Sequence, residues 1–222
     1  QLHQAITGQS AKNPRVPETA RPDRVASWPE SRSELPLEER TIAEVLREGG
    51  YQTWHLGKWH LGNAKSPGTM PRDRGFDVSM DVSQSGSGAR EDPKGIFAIT
   101  RAACEFMENN KEKPFFAYVA HHAIHVGIQY RQASLDRFSA KDPGQRHSDA
   151  EYAASVCDLD AGVGLLLEKL EELGLEDNTL VVFTSDNGGT QQSSQAPLRG
   201  FKGMYYEGGI REPMIARWPG VT

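Results

Sequence analysis

Two short apolar runs constrain this fold most: Phe115-Phe116-Ala117-Tyr118-Val119-Ala120 and Leu180-Val181-Val182-Phe183-Thr184. Their apolar residues are consecutive rather than alternating, as in strands covered on both faces. Each follows a helical pattern. The first helix is expected over about 97–110, with Ile99, Ala103, Phe106 and Met107 on one side. The second, about 149–173, carries Tyr152, Val156, Leu159, Val163, Leu166, Leu167 and Leu170 as its stripe, with Ser148 and Glu151 as a capping box and Gly174 closing it. Upstream, Thr41 and Glu44 form another capping box before the apolar Ile42, Val45 and Leu46, and Gly49-Gly50 stops that helix. A strand is expected over 51–55 and a last one over 213–218. Helices alternating with buried strands define an α/β fold: a mostly parallel central sheet flanked by helices on both faces.

The connections are uneven. Residues 1–36 hold five of the thirteen prolines and read as a surface excursion. Residues 62–95 form a long Gly/Ser/Pro-rich connection, in which Arg74 and Asp77 read as structural, and 126–147 read as polar and irregular. With 25 basic and 30 acidic residues the chain is formally −5, which argues against a general nucleic-acid or anionic-membrane binder. No run approaches the roughly 18 apolar residues of a membrane span. Cys104 and Cys157 fall on expected helices and read as buried small hydrophobes rather than a disulfide or a redox pair.

In such sheets ligands bind beyond the carboxyl ends of strands, and three polar clusters lie there. Lys58 and His60, in Gly57-Lys58-Trp59-His60-Leu61-Gly62, sit two residues apart, so an extended backbone would aim both at one place. His121, His122 and His125 follow the second strand, and His55 and His60 the first; imidazole suits proton transfer near neutrality, and His125 is the best single candidate. Three close histidines could also hold zinc. Asp186 and Asn187 offer hard oxygen ligands suited to calcium or magnesium, or else form an Asx turn before Gly188-Gly189. Lys202 lies in a glycine-rich loop, Arg199 could reach an anion or brace that loop, and Glu207 with Arg211 reads as a structural ion pair. Together these groups suit hydrolysis of an anionic ester: cations neutralise the transferring group, a metal positions it, and a histidine protonates the leaving oxygen.

Four blocks then match one family in order. They are Gly50-Tyr51-Gln52-Thr53 with Gly57–Gly62, the histidine segment Phe115–His125, Asn178–Gly188, and Gly203–Trp218 containing Glu207-Gly208-Gly209-Ile210-Arg211-Glu212-Pro213. From about Thr41 to Gly220 the chain resembles the type I, formylglycine-dependent sulfatases of the alkaline phosphatase superfamily. The resemblance implies that Lys58 contacts the sulfate and His60 hydrogen-bonds the nucleophile's hydroxyls. His125 and Lys202 would hold the sulfate and bridging oxygen, with His125 the proton donor to the leaving alcohol. Asp186 and Asn187 would supply part of a calcium site, magnesium being possible. The substrate implied is a sulfated carbohydrate, glycan or aryl sulfate, and the implied location periplasmic or extracellular.

The chain departs from that pattern in lacking the Cys/Ser-x-Pro-x-Arg nucleophile motif and the early paired aspartates that complete the calcium site. Thr7-Gly8-Gln9 only weakly echoes the stretch after the motif. Residues 1–222 are therefore expected to be part of a catalytic domain, with the nucleophile segment and a smaller C-terminal subdomain outside them. Three other readings stay open: a phosphatase or phosphodiesterase of the same superfamily, a non-catalytic sulfated-glycan binder, and a zinc-binding α/β domain.

Overall fold

The computed structural model describes residues 34–82 and 84–222. The expected excursion lies outside the described residues up to residue 33, as does Thr7-Gly8-Gln9. Helix α1 (Ile42–Glu48) begins as its capping box dictates: Glu44 N donates to the Thr41 hydroxyl and Thr41 N to the Glu44 carboxylate. Its apolar face is not buried as expected, since Ile42 and Val45 are exposed and Ala43 alone is buried. The helix docks instead through polar bonds to the turn at 71–75. The Thr41 hydroxyl donates to Arg74 O, and the buried Arg74 guanidinium reaches Glu44 at 3.1 Å and the carbonyls of Pro36 and Glu39. Arg74 is thus structural, as is Asp77, whose carboxylate accepts from Thr53 N at 2.9 Å.

Strands β1 (Gln52–Gly57), β2 (Val78–Met80) and β4 (Phe115–Ala120) form a parallel sheet with β1 central, Trp54 lying opposite both Val78 and Ala117. Strand period divides β1 between two faces. Trp54 and Leu56 join Ile99, Ala103 and Met107 of α2 (Ile96–Asn110) and Leu170 of α4 (Ala150–Glu172) in the main core. Trp54 stacks on Phe115 and Phe106, at 4.9 and 5.5 Å between centroids. On the opposite face His55 meets Trp59, Phe76 and Tyr118. The N-cap of α4 is Asp149, accepting from Tyr152 N, and not the expected Ser148: the carboxylate one residue later occupies the capping position.

The stretch 126–147 is more ordered than expected. It holds β5 (Gln129–Tyr130), paired in parallel with β3 (Gly88–Ala89), and α3 (Gln132–Ser139). Helix α3 packs a short apolar pair, Leu135 and Phe138, against Ile128, Tyr130 and Ala154, and a buried carboxylate anchors its start. Asp158 of α4, wholly buried, accepts from Arg131 N, Arg131 Nε and the Ser134 hydroxyl at 2.6–2.7 Å.

The run at 180–184 also departs from expectation. Strand β6 (Val181–Thr184) pairs antiparallel with β7 (Met214–Arg217), apart from the parallel sheet, and Val182 and Phe183 are exposed. Only Val181 packs against the main core. The pair is tied down at its far end by Arg217–Glu176 at 2.6 Å and by Trp218 Nε1 donating to Asp177 O.

Candidate active site

Strand β1 ends on Gly57, at φ +105°, where a Cβ would stand 2.2 Å from the Ala120 carbonyl oxygen. Only glycine lets β1 and β4 finish this close. Lys58 N then donates to Ala120 O at 2.7 Å, placing Lys58 beside the turn that carries the histidines. Lys58 and His60 therefore lie in the loop beyond the strand rather than in an extended segment. His55 is not beyond the strand but within it, 1% exposed, because it shares the aromatic face. Its Nδ1 lies 3.0 Å from Ser79 Oγ and its Nε2 3.1 Å from Lys58 O. Burial pulls its pKa below the ordinary imidazole value, so it braces the Lys58 backbone as a neutral ring.

The Lys58 ammonium reaches across the molecule to Asp186 Oδ2, at 3.2 Å. Asp186 and Asn187 follow β6 in a loop held by the Ser185 hydroxyl donating to Asn187 O and by Gly188 N donating to Gly209 O. Gly188 packs against backbone, for a Cβ there would stand 2.0 Å from Gly208 O. Lys202 N donates to Gly189 O at 2.8 Å, so one strand end positions both Asp186 and Lys202. Burial draws the Lys202 ammonium below its usual pKa; Asp186 opposes that shift and Lys58 adds to it.

His125 lies exposed in the turn after β4. Its pKa is lowered, first by desolvation and then by the charge of Lys202, with Lys58 and Lys94 adding less. Lys58, His125, Lys202 and Asp186 thus share one electrostatic site, although 144 residues separate Lys58 from Lys202. The neighbouring histidines are engaged elsewhere. His121 Nε2 lies 3.1 Å from the Thr100 hydroxyl, and burial holds its pKa at about 4. His122 Nε2 lies 2.6 Å from Asp81 Oδ1. Arg199 braces its loop by stacking 3.9 Å over Tyr206, and Arg211 pairs with Glu207 at 3.4 Å. Cys104 and Cys157 are free thiols on helices, half-buried rather than buried as expected.

Two groups escaped sequence reasoning. Glu212 has a buried carboxylate oxygen, Oε1, with no hydrogen-bond partner among the described residues. Its pKa is raised by burial and by the charge of Asp186. Lys94 is the other, a buried ammonium near His125. Glu212 lies in the Glu207–Pro213 block but carries no role there, and Lys94 belongs to no motif; the fold brings both here. Among the described residues no group of three or more His, Cys, Asp or Glu could by itself hold a metal ion. Asp186 and Asn187 nonetheless present hard oxygens, and the unpartnered oxygen of Glu212 beside Asp186 is the kind of acceptor a cation satisfies. A cavity of about 300 Å³ adjoins Lys202, lined also by Val126, Thr190, Gln191, Gln192 and Phe201. A larger hollow, about 600 Å³ between Glu34–Glu38 and Lys65–Thr69, touches none of these groups.

The model of one protein family, described as Sulfatase, matches residues 2–222. Human arylsulfatase A is 33% identical over 236 residues, an alignment covering 86% of this chain and 45% of that protein. A sulfatase from Formosa agariphila is 45% identical over 122 residues, covering 50% of this chain and 22% of that one. Among solved structures, Ps i-CgsB in complex with k-i-k-neocarrahexaose superposes with a TM-score of 0.72 at 31% identity, covering 86% of this chain and 50% of that chain. The chain spans about half the length, or less, of the curated relatives it matches.

Proposed function

The chain belongs to the sulfatase family of the alkaline phosphatase superfamily, and on that premise we propose that the whole protein hydrolyses a sulfate ester of a carbohydrate or aryl alcohol. The observation that carries this reading is that the Lys58 ammonium meets Asp186 at 3.2 Å at the strand ends where the charges of Lys58 and Lys202 both act on His125. Two ammonium groups suit the oxygens of a sulfate monoester, whose charge grows toward the bridging oxygen as the S–O bond breaks. Lys58 and Lys202 bind and orient that group, and His125 gives its proton to the leaving oxygen, which departs as the neutral alcohol.

Asp186 holds the Lys58 ammonium in place and opposes the lowering of the Lys202 pKa. Together with Asn187, and with Glu212 beside them, it would hold calcium or magnesium. Such a cation would supply further charge neutralisation at a sulfate oxygen. A formylglycine made from a Cys or Ser outside residues 1–222 would supply the attacking oxygen, and His60 would hydrogen-bond its hydroxyls. Residues 1–222 contribute most of the sulfate-binding groups of the catalytic domain under this reading. A sugar substrate is favoured by the neutral amides of Gln191 and Gln192 and the ring of Phe201 in the cavity beside Lys202. The family also suggests work in the periplasm or outside the cell; no helix among the described residues is long and apolar enough to cross a membrane.

The test is turnover of 4-nitrophenyl sulfate against 4-nitrophenyl phosphate by the full-length protein, repeated with Lys58→Ala and Lys202→Ala. Sulfate hydrolysis lost in both variants is the expected result. Faster phosphate turnover would reassign the site to a phosphatase-type hydrolase. Binding of sulfated glycans with no turnover of either ester would make the protein a binding homologue.

A further inference from the structure

Lys94 is the one residue other than glycine at positive φ among the described residues, at +55°. That left-handed conformation is strained for a residue with a Cβ and persists only where surroundings impose it. Here they do. Lys94 N donates at 2.7 Å to Oε1 of Gln129, itself fully buried and donating through Nε2 to the carbonyls of Ser85 and Gly86. The clamp drives the Lys94 side chain inward, leaving it 7% exposed.

Its ammonium finds little there. Nζ donates to Val126 O at 3.4 Å, a long bond, and no carboxylate lies within ion-pairing distance among the described residues. Asp92, two residues earlier, is committed to the start of α2, where it accepts from Phe97 N at 2.8 Å and Ala98 N at 2.9 Å. A buried cation with one long bond and no counter-charge is costly for a fold to keep. Such a charge is stabilised when an anion arrives from outside.

The position says which anion. Val126 follows His125 directly and lines the cavity beside Lys202. Lys94 Nζ meets the Val126 carbonyl at 3.4 Å and lies 3.5 Å from where a Cβ of Gly127 would stand, so the ammonium sits against the turn that presents His125 and, on the sulfate-ester reading, near the alcohol that His125 protonates. We infer that Lys94 is a specificity residue whose ammonium binds a second anionic substituent, a sulfate or a carboxylate, on the alcohol that His125 protonates. The inference rests on the sulfate-ester reading of the site.

The test uses the full-length protein and four substrates: 4-nitrophenyl sulfate, a monosulfated neutral sugar, the same sugar bearing a second sulfate, and a sulfated uronic acid. The wild type should favour one or both doubly anionic sugars, and whichever is favoured identifies the substituent. Lys94→Gln should lower kcat/KM for the favoured sugar by about tenfold or more, chiefly through KM, and leave 4-nitrophenyl sulfate within about twofold. Lys94→Arg should recover part of the loss. A wild type with no preference overturns the inference whatever the variants do. An equal loss on all four substrates also overturns it, leaving Lys94 as a brace for Val126. A wild type that hydrolyses none of the four would instead sink the sulfate-ester reading. Calorimetric titration with the mono- and disulfated sugars then judges Lys94 alone: a disulfate preference abolished by Lys94→Gln supports it, and equal binding overturns it.

Discussion

Lys58 Nζ and Asp186 Oδ2 meet at 3.2 Å although 128 residues separate them. The contact joins the end of the parallel sheet to the end of the antiparallel pair, and the candidate site forms around it.

Because both partners are partly exposed, 25% and 40%, the pair adds little to folding. Asp186→Asn should therefore shift the stability of the full-length protein by no more than about 1 kcal/mol in urea titration. Turnover of 4-nitrophenyl sulfate should nonetheless fall by about 100-fold, with loss of any dependence on added calcium. A large stability change with little loss of rate would mean the carboxylate is structural.

His125 has its pKa lowered below 6.5 by desolvation and then by Lys202. A proton donor with a lowered pKa carries its proton only in more acidic solution. The kcat/KM profile should accordingly fall on its alkaline side through a pKa below 6.5, the ordinary value. His125→Gln should flatten that limb as well as slowing turnover. A limb unchanged in the variant would assign the proton to another group.

His121 carries a folded-state pKa of about 4 against 6.5 when unfolded. The unfolded chain thus binds a proton that the folded one refuses. The stability contribution is complete above pH 6.5 and is lost as pH falls toward 4, by roughly 3 kcal/mol over the whole interval. Urea midpoints at pH 7 and pH 5 should show the decline, and His121→Asn should reduce it. An equal decline in the variant would place the linkage elsewhere.

Arg74, 2% exposed, holds Glu44 and the carbonyls of Pro36 and Glu39 at once. Arg74→Met would leave these acceptors unpaired, at a cost of about 3–5 kcal/mol. The melting temperature should drop sharply, while the folded fraction keeps the wild-type kcat. A reduced kcat at unchanged melting temperature would give Arg74 a role in the site.

Gly57→Ala would set a Cβ against the Ala120 carbonyl oxygen at a positive φ. Relief requires β1 and β4 to part where Lys58 N is held. The expected result is at least about 2 kcal/mol of lost stability together with a raised KM for the sulfate ester. A variant with wild-type KM would show that Lys58 does not depend on this close approach.

Much of the site was legible in the order of the chain. Lys58, His125, Asp186 and Lys202 each follow an apolar run or sit in a glycine-rich turn, and strands that end together bring such loops together. What misled was burial. The run at 180–184 and the apolar positions of α1 look like core, yet Val182, Phe183, Ile42 and Val45 are exposed. Apolar pattern reports which segments could be covered, not what covers them. Helix α3 was missed for the converse reason, since its apolar face is only Leu135 and Phe138 and its start is anchored by the Asp158 carboxylate.

By itself the sequence determined the α/β alternation, the cap of α1, the glycines that permit close backbone approach, and the chemistry available at the strand ends. Those depend on local conformational preference and side-chain type, which neighbours along the chain decide. Tertiary structure alone decided that His55 is buried and His121 half-buried while His125 is exposed, that Asp186 meets Lys58, and that one carboxylate oxygen of Glu212 and the Lys94 side chain are buried near the site. Burial and charge separation are set by groups distant in the chain and near in space, so the same residue type becomes brace or reagent according to where the fold leaves it.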